Sequence, residues 1–139
     1  MIVLDTNILS ELNKIRIDPQ VHAWMDAVEP ADLYLCDIVV MEQAYGAESF
    51  FRRTGSRRYQ ERLVEILKLF QDKILSLTLD TCLRGGEVRA RRDALGRPIS
   101  VQDAMIAAIC LVHGASLATR NTKDFEGLDL RLVNPFEGA

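Results

Sequence analysis

Three carboxylates stand apart from the other acids of this 139-residue chain because apolar or small neighbours surround them. Asp5 closes the pentad Met1-Ile2-Val3-Leu4-Asp5, with Thr6 and Asn7 directly behind it. Glu42 follows Ile38-Val39-Val40-Met41, and Asp103 lies within Ser100-Val101-Gln102-Asp103-Ala104-Met105-Ile106. A carboxylate in such surroundings is costly unless a partner compensates it, and a metal ion is one such partner. Clustered carboxylates also repel and shift one another's pKa unless a cation joins them. Mg²⁺ or Mn²⁺ suits an all-oxygen donor set, and an ion so held activates water and stabilises charge on a phosphodiester. Each acid also has a plain structural role open to it. Asp5 or Thr6 can cap a following helix. Ser100 and Asp103 make an S-x-x-D capping box. Glu42 can lie on a solvated helix face. Leu79-Asp80-Thr81 repeats the Leu4-Asp5-Thr6 pattern, and there the cap is expected, because Cys82-Leu83-Arg84 follow and nothing like Asn7 does.

These acids act together only if the chain's elements bring them together. Ile2–Leu4 has no polar face, which predicts a strand buried on both sides, as in the centre of a parallel sheet. Short helices are predicted over Ile8–Leu12 and Val21–Val28, the second stopped by Pro30. A strand at Leu33–Cys36 precedes a helix from Val39 to about Phe51, with Gly46 tolerated inside it. Thr54-Gly55-Ser56 reads as a turn. Tyr59–Phe70 carries Leu63, Ile66, Leu67 and Phe70 on one helical face. A third strand at Ile74–Leu77 leads to a helix that Asp80 caps and Gly96-Arg97-Pro98 ends. Val101–His113 is a strongly apolar helix, and His113-Gly114 reads as its C-terminus. Strands at Ser116–Ala118 and Leu130–Val133 complete the set. Strands alternating with helices argue for βαβ units, hence an α/β fold with a parallel sheet. Such a sheet gathers strand carboxyl ends and following helix starts at one edge, where ligands bind. Asp5, Glu42 and Asp103 all fall near that edge. No linker, repeat or low-complexity stretch divides the chain, so residues 1–139 read as a single domain.

Composition narrows the classes further. Hydrophobic residues make up 48% of the chain, which excludes intrinsic disorder. The longest apolar run, Ala104 to Val112, is too short for a membrane span, and no basic segment precedes the apolar start as a signal peptide would require. Cys36, Cys82 and Cys110 are scattered and odd in number, which predicts reduced core thiols in a cytoplasmic protein. His22 and His113 are the only histidines, so Ser-His-Asp chemistry and His-rich zinc sites have little to draw on. The net charge of −3 is unevenly spread. Residues 1–48 hold nine acids against two bases, whereas residues 49–97 hold six acids against twelve bases. Arg52, Arg53, Arg57 and Arg58 cluster at the turn, and Arg89 and Arg92 lie in a second run. Solvated helix faces explain either run alone, while two such runs beside an acidic end point toward a polyanionic partner.

The chain resembles the PIN-domain ribonucleases, specifically toxins of the VapC or FitB type. The resemblance spans nearly the whole length. It rests on Ile2-Val3-Leu4-Asp5-Thr6-Asn7, on Val39-Val40-Met41-Glu42-Gln43-Ala44-Tyr45-Gly46, on Gly96-Arg97-Pro98-Ile99-Ser100-Val101-Gln102-Asp103-Ala104-Met105-Ile106-Ala107-Ala108, and on Leu117-Ala118-Thr119-Arg120-Asn121. It implies a five-stranded parallel sheet flanked by helices and Mg²⁺- or Mn²⁺-dependent endonucleolytic cleavage of RNA. It also implies a homodimer, and a small antitoxin through whose complex promoter DNA is bound. Asp5, Glu42 and Asp103 would be the metal-binding acids. Thr6 and Asn7 would orient Asp5 and the surrounding waters. Arg52, Arg53, Arg57 and Arg58, or the Arg89–Arg92 group, would steer the RNA backbone.

One position departs from the pattern. Many relatives carry a fourth Asp after Thr-Arg, where this chain has Asn121. Asp124 is a candidate for the missing charge, against the plainer role of a loop acid beside a core Phe125. A degenerate PIN domain that binds nucleic acid or antitoxin without cutting is the alternative that Asn121 favours. A phosphatase with Asp5 as nucleophile is a more distant one. It would want a second Asp where Asn7 stands, and an Asp-Asp pair that the chain lacks.

Overall fold

The computed structural model describes residues 1–137. Its order is β1 (Ile2–Leu4), α1 (Thr6–Leu12), α2 (Pro19–Ala27), β2 (Leu33–Cys36), α3 (Asp37–Thr54), α4 (Arg58–Leu69), β3 (Ile74–Leu75), α5 (Leu79–Ala94), α6 (Val101–His113), β4 (Ser116–Ala118) and β5 (Leu132–Val133). Single 3-10 turns at Pro30–Asp32 and Thr122–Phe125 complete it. The five strands form one parallel sheet in the order β3-β2-β1-β4-β5. The α/β class and the five-stranded parallel sheet are those expected from the alternating pattern.

Burial explains the centre of the sheet. Val3, Leu4, Leu35, Cys36, Leu117 and Ala118 are wholly inaccessible, as strands covered on both faces require. α6 supplies one cover with Ala104 and Ile106–Cys110, all buried. Each Leu or Ile so enclosed contributes about 1.5–3 kcal/mol. α5 packs along α6 through Thr81, Gly85, Val88 and Arg92, a stripe recurring every three or four residues. A Cβ on Gly85 would sit 3.8 Å from the Ala108 methyl, so small residues set how closely the two helices approach. At the end of α3, Gly55 takes a left-handed φ of 75°, which makes the turn into α4.

Three expectations are corrected here. The cap of α5 is Thr78, not Asp80: Thr78 and Thr81 form a reciprocal capping box, two residues earlier than the Leu-Asp-Thr pattern suggests. The third strand stops at Leu75 because the Leu77 N–H donates to the Asp37 carboxylate (2.8 Å) and pulls the chain off the sheet. Cys82 is exposed, unlike buried Cys36 and Cys110, because α5 turns the Thr81–Gly85–Val88 stripe inward and Cys82 outward. Among the described residues, no helix is long and apolar enough to cross a membrane.

Candidate active site

The chain winds outward from β1 through β2 to β3, then returns to place β4 on the other side of β1. The reversal lies between β1 and β4, the kind of crevice where α/β sheets bind ligands. Asp5 follows β1 at that point. Its N–H donates to the Ala118 carbonyl (2.9 Å), which extends the β1–β4 ladder and ties the Asp5 backbone to the neighbouring strand.

The Asp5 side chain serves both roles that its position suggests. It is the N-cap of α1, with Oδ1 accepting from the Thr6 N–H at 2.8 Å. It is also 6% exposed and lines a cavity of about 450 Å³ with Glu42 and Asp103. Its Oδ2 accepts from the Thr119 hydroxyl (2.8 Å) and from Asn7 Nδ2 (3.4 Å). Asn7 Oδ1 in turn accepts from the Arg120 N–H (3.0 Å), so Asn7 joins the two strand ends. The Thr6 hydroxyl donates to Glu42 Oε2 (3.0 Å). Thr6 thus positions Asp5 through its backbone and Glu42 through its side chain, whereas its place in the sequence points only to the first acid.

Asp103 lies in the first turn of α6, where Ser100 Oγ accepts from its backbone N–H (3.1 Å). The reciprocal bond of a full capping box, from the Ser100 N–H to the Asp103 carboxylate, is absent among the described residues. The Ser100 side chain still hydrogen-bonds that carboxyl and lowers its pKa, but burial and the neighbouring acids outweigh it.

Electrostatics binds the three acids into one system. Burial raises the Asp5 carboxyl above its usual range, opposed by the hydrogen bonds from Thr119, Thr6 and Asn7 and reinforced by the charge of Asp124. Burial likewise raises Glu42, with the Thr6 hydroxyl opposing and Asp5 adding to the effect. Asp103 is pushed up to about 6, first by burial and then by the charges of Asp5 and Asp124. Among the described residues none of the three joins an ion pair. The compensating donors are neutral, and the negative charge is left over.

That donor set fits a hard divalent cation. The described residues contain no group of three His, Cys, Asp or Glu close enough to close a cage on an ion. Mg²⁺ is ordinarily held by one or two carboxylates with waters and substrate oxygens completing its shell, so an open pocket edged by acids is adequate.

The other expected residues divide. Asn121 lines the pocket, its N–H donating to Thr119 Oγ1 (3.1 Å). Asp124 is exposed beside buried Phe125, and its charge still reaches Asp5 and Asp103. Arg52 pairs with Glu48, Arg57 stacks over Phe51, and Arg58 lies over Tyr59, all around the turn between α3 and α4. Arg53 lines the groove next to the acids. Arg89 is exposed on α5. Arg92 corrects the expectation of a phosphate contact. It is 3% exposed and donates to the carbonyls of Arg97 (2.7 Å), Asp124 (2.5 Å) and Glu126 (3.3 Å), so its guanidinium is enclosed by the fold.

Two further residues belong to the site with no role expected of them from the sequence. Thr119, wholly buried, is the hub that joins Asp5, Asn7 and Asn121. Its place in the Leu117–Asn121 stretch and directly after a strand, like Asp5, are the signals that could single it out. Glu11 also borders the pocket, nearly buried, accepting from Lys14 Nζ (2.9 Å) and the Asp18 N–H (3.2 Å). The Lys14 bond holds its carboxyl below the usual range, and its charge is thereby matched.

A PIN-domain family model matches residues 2–129. The VapC ribonuclease Y4jK of Sinorhizobium fredii is 39% identical over 142 residues, covering 100% of both chains. Toxin FitB of Neisseria gonorrhoeae is 32% identical over 137 residues, covering 98% of this chain and 99% of that one. The solved structure of FitAB bound to a DNA fragment superposes on 98% of this chain and 96% of its own with a TM-score of 0.90 and 32% identity.

Proposed function

We propose that this chain, which belongs to the PIN-domain family, is an endoribonuclease toxin of a toxin–antitoxin pair, with Asp5, Glu42 and Asp103 as its metal-holding acids. The observation that carries this reading is the pocket at the β1–β4 crevice, bordered by three carboxylates that burial raises and that form no ion pair among the described residues. The names of the relatives support ribonuclease activity and the toxin role. The FitAB complex on a DNA fragment supports a protein partner and DNA bound by the complex; that the partner is a small antitoxin and the DNA its promoter is part of the proposal. A homodimer is part of the same proposal, on the resemblance alone, and is checked by the mass of the protein in solution.

Mg²⁺ or Mn²⁺, when bound, supplies a Lewis acid for the scissile phosphate and lowers the pKa of water for in-line attack. The chain's own residues prepare the site for it. Thr119, Asn7 and the Thr6 N–H hold the Asp5 carboxylate in one orientation with neutral donors, which fixes its geometry without cancelling its charge. The Thr6 hydroxyl does the same for Glu42. Asp103 is the acid whose protonation changes nearest neutrality, so it binds a cation only once that proton has left. Asn121 gives the pocket an amide where an acid would add charge, which keeps cation affinity modest.

The test is total RNA incubated with the purified protein, with Mg²⁺ and with EDTA. Cleavage is expected with the metal and not with the chelator. Asp5→Asn is expected to lose cleavage by at least a hundredfold while its circular-dichroism melt is unchanged or raised. An Asp5→Asn protein that cuts at the wild-type rate overturns the assignment.

A further inference from the structure

A second cavity, of about 480 Å³, adjoins the acidic pocket and shares Thr6, Ser10, Lys14 and Glu42 with it. It runs between α1, α3 and the start of α4. Its lining includes Gly46, exposed in the interior of α3, where a Cβ would meet nothing within 4 Å. Glycine weakens a helix interior relative to alanine, so open space above this position comes at a cost to the helix. One wall is aromatic. Phe50 and Tyr59 meet edge to face, ring centroids 4.7 Å apart at 74°, and neither is fully buried. Arg53 lies 5.5 Å from the Phe50 centroid, exposed and in no ion pair among the described residues. The sequence around the turn, Phe50-Phe51-Arg52-Arg53 and Arg57-Arg58-Tyr59, interleaves rings with guanidinium groups.

Rings for stacking, cations for phosphate and continuity with a phosphodiester-cleaving pocket make a consistent set. Sequence-tolerant binding of single-stranded nucleic acid combines a basic groove with aromatic side chains on which bases stack. We propose that this groove is a nucleotide subsite: it takes an unpaired base flanking the scissile phosphate of an RNA strand against the Phe50–Tyr59 wall, with Arg53 at the adjoining phosphate. The inference rests on the ribonuclease reading and adds where on this chain the strand beside the cut is held. A base within a duplex is already stacked on its neighbours and cannot enter, so the subsite takes an unpaired one.

The experiment titrates metal-free protein, in EDTA so that nothing is cut, into a fluorescein-labelled single-stranded RNA of mixed sequence and follows anisotropy. Gly46→Ala is expected to melt at or above the wild type and to bind within twofold of it. Gly46→Leu places a bulky side chain in the groove lining and is expected to bind at least tenfold more weakly with its melt retained. Tyr59→Ala is expected to lose about tenfold. Tyr59→Leu serves the same purpose should the alanine variant not fold. An RNA carrying 5-iodouridine should crosslink to Tyr59 under ultraviolet light. A folded Gly46→Leu protein that binds RNA like the wild type overturns the subsite. Wild-type protein that binds and cuts RNA, with both groove variants unchanged, removes the subsite alone. Wild-type protein that neither binds nor cuts removes the ribonuclease reading with it. Loss of a protein inhibitor's binding in Gly46→Leu, with RNA affinity intact, assigns the groove to that partner and also overturns the proposal.

Discussion

Asp103 holds its proton until about pH 6, and this makes the stability of the metal-free fold run against the usual direction for a carboxylate. The folded state binds that proton more tightly than the unfolded chain, whose value is near 3.8. Its contribution to stability is therefore complete below pH 3.8 and is lost as pH rises to about 6. Asp103→Asn removes the loss. Half-exposure and solvent screening limit the gain at pH 7 to on the order of 1 kcal/mol, roughly 2–4 °C in melting temperature. In EDTA the variant should melt that much higher than the wild type at pH 7 and together with it at pH 4. Adding Mg²⁺ should raise the wild type more than the variant. A variant that melts lower at pH 7 would show that Asp103 stabilises the empty fold, and the site would have to be redrawn around the other two acids.

The elements around the pocket are held by side chains that look functional until their surroundings are seen. α5 carries Arg92 on its inward stripe, where it clamps the carbonyls of Arg97, Asp124 and Glu126. These carbonyls belong to the loop entering α6 and to the 3-10 turn after β4, the two segments that flank Asp103 and Asn121. Arg92→Met keeps the length of the side chain but strands those acceptors in a buried place, at about 1–3 kcal/mol for each group left without a partner. A loss of about 3 kcal/mol or more in urea unfolding is expected, together with reduced cleavage through displacement of the turn. Arg89→Ala, one helical turn away and exposed, is expected to leave stability within about 0.5 kcal/mol. Equal effects from the two substitutions would mean that the clamp is not the reason Arg92 is buried.

Across the whole molecule the acidic first segment and the arginine-rich middle segment meet at one groove, where Glu42 of the first and Arg53 of the second are both lining residues. A cationic rim beside an acidic pocket attracts an RNA backbone while the pocket awaits its cation. Arg52 and Arg58 have a carboxylate or ring neighbour on their own helices and Arg57 lies over Phe51 across the turn, which leaves each partly available to a phosphate. Arginine–phosphate pairing is blind to sequence and sensitive to salt. Replacing these three by Ala should weaken RNA binding severalfold and reduce the slope of log affinity against log salt by up to about 0.7 for each phosphate no longer neutralised. The cleavage positions, read by sequencing the new ends, should stay the same. An unchanged slope would make the segment a solvated face.

The fold class, the parallel sheet and the three acids at one sheet edge were legible in the sequence, because each depends on short-range pattern. A fully apolar triplet such as Ile2–Leu4 can be satisfied only between two covered faces, and its carboxyl end then delivers Asp5 to the edge. Pairings across long separations were not legible. Thr119 lies 114 residues from Asp5, and its role exists only because β4 pairs with β1. Arg92 reads as a surface cation in an arginine run, and Cys82 as a core thiol. The face that α5 presents to α6 reverses both, because burial of a helix residue is decided by the packing partner and not by the residue's own type. Gly46 reads as a tolerated flaw in a helix. Only the position of α3 against α1 and α4 turns it into part of a groove's lining. Local pattern thus determined which residues form strands, helices and acid-bearing ends. The long-range order of the strands decided which side chains meet at the crevice and which are held inside the fold.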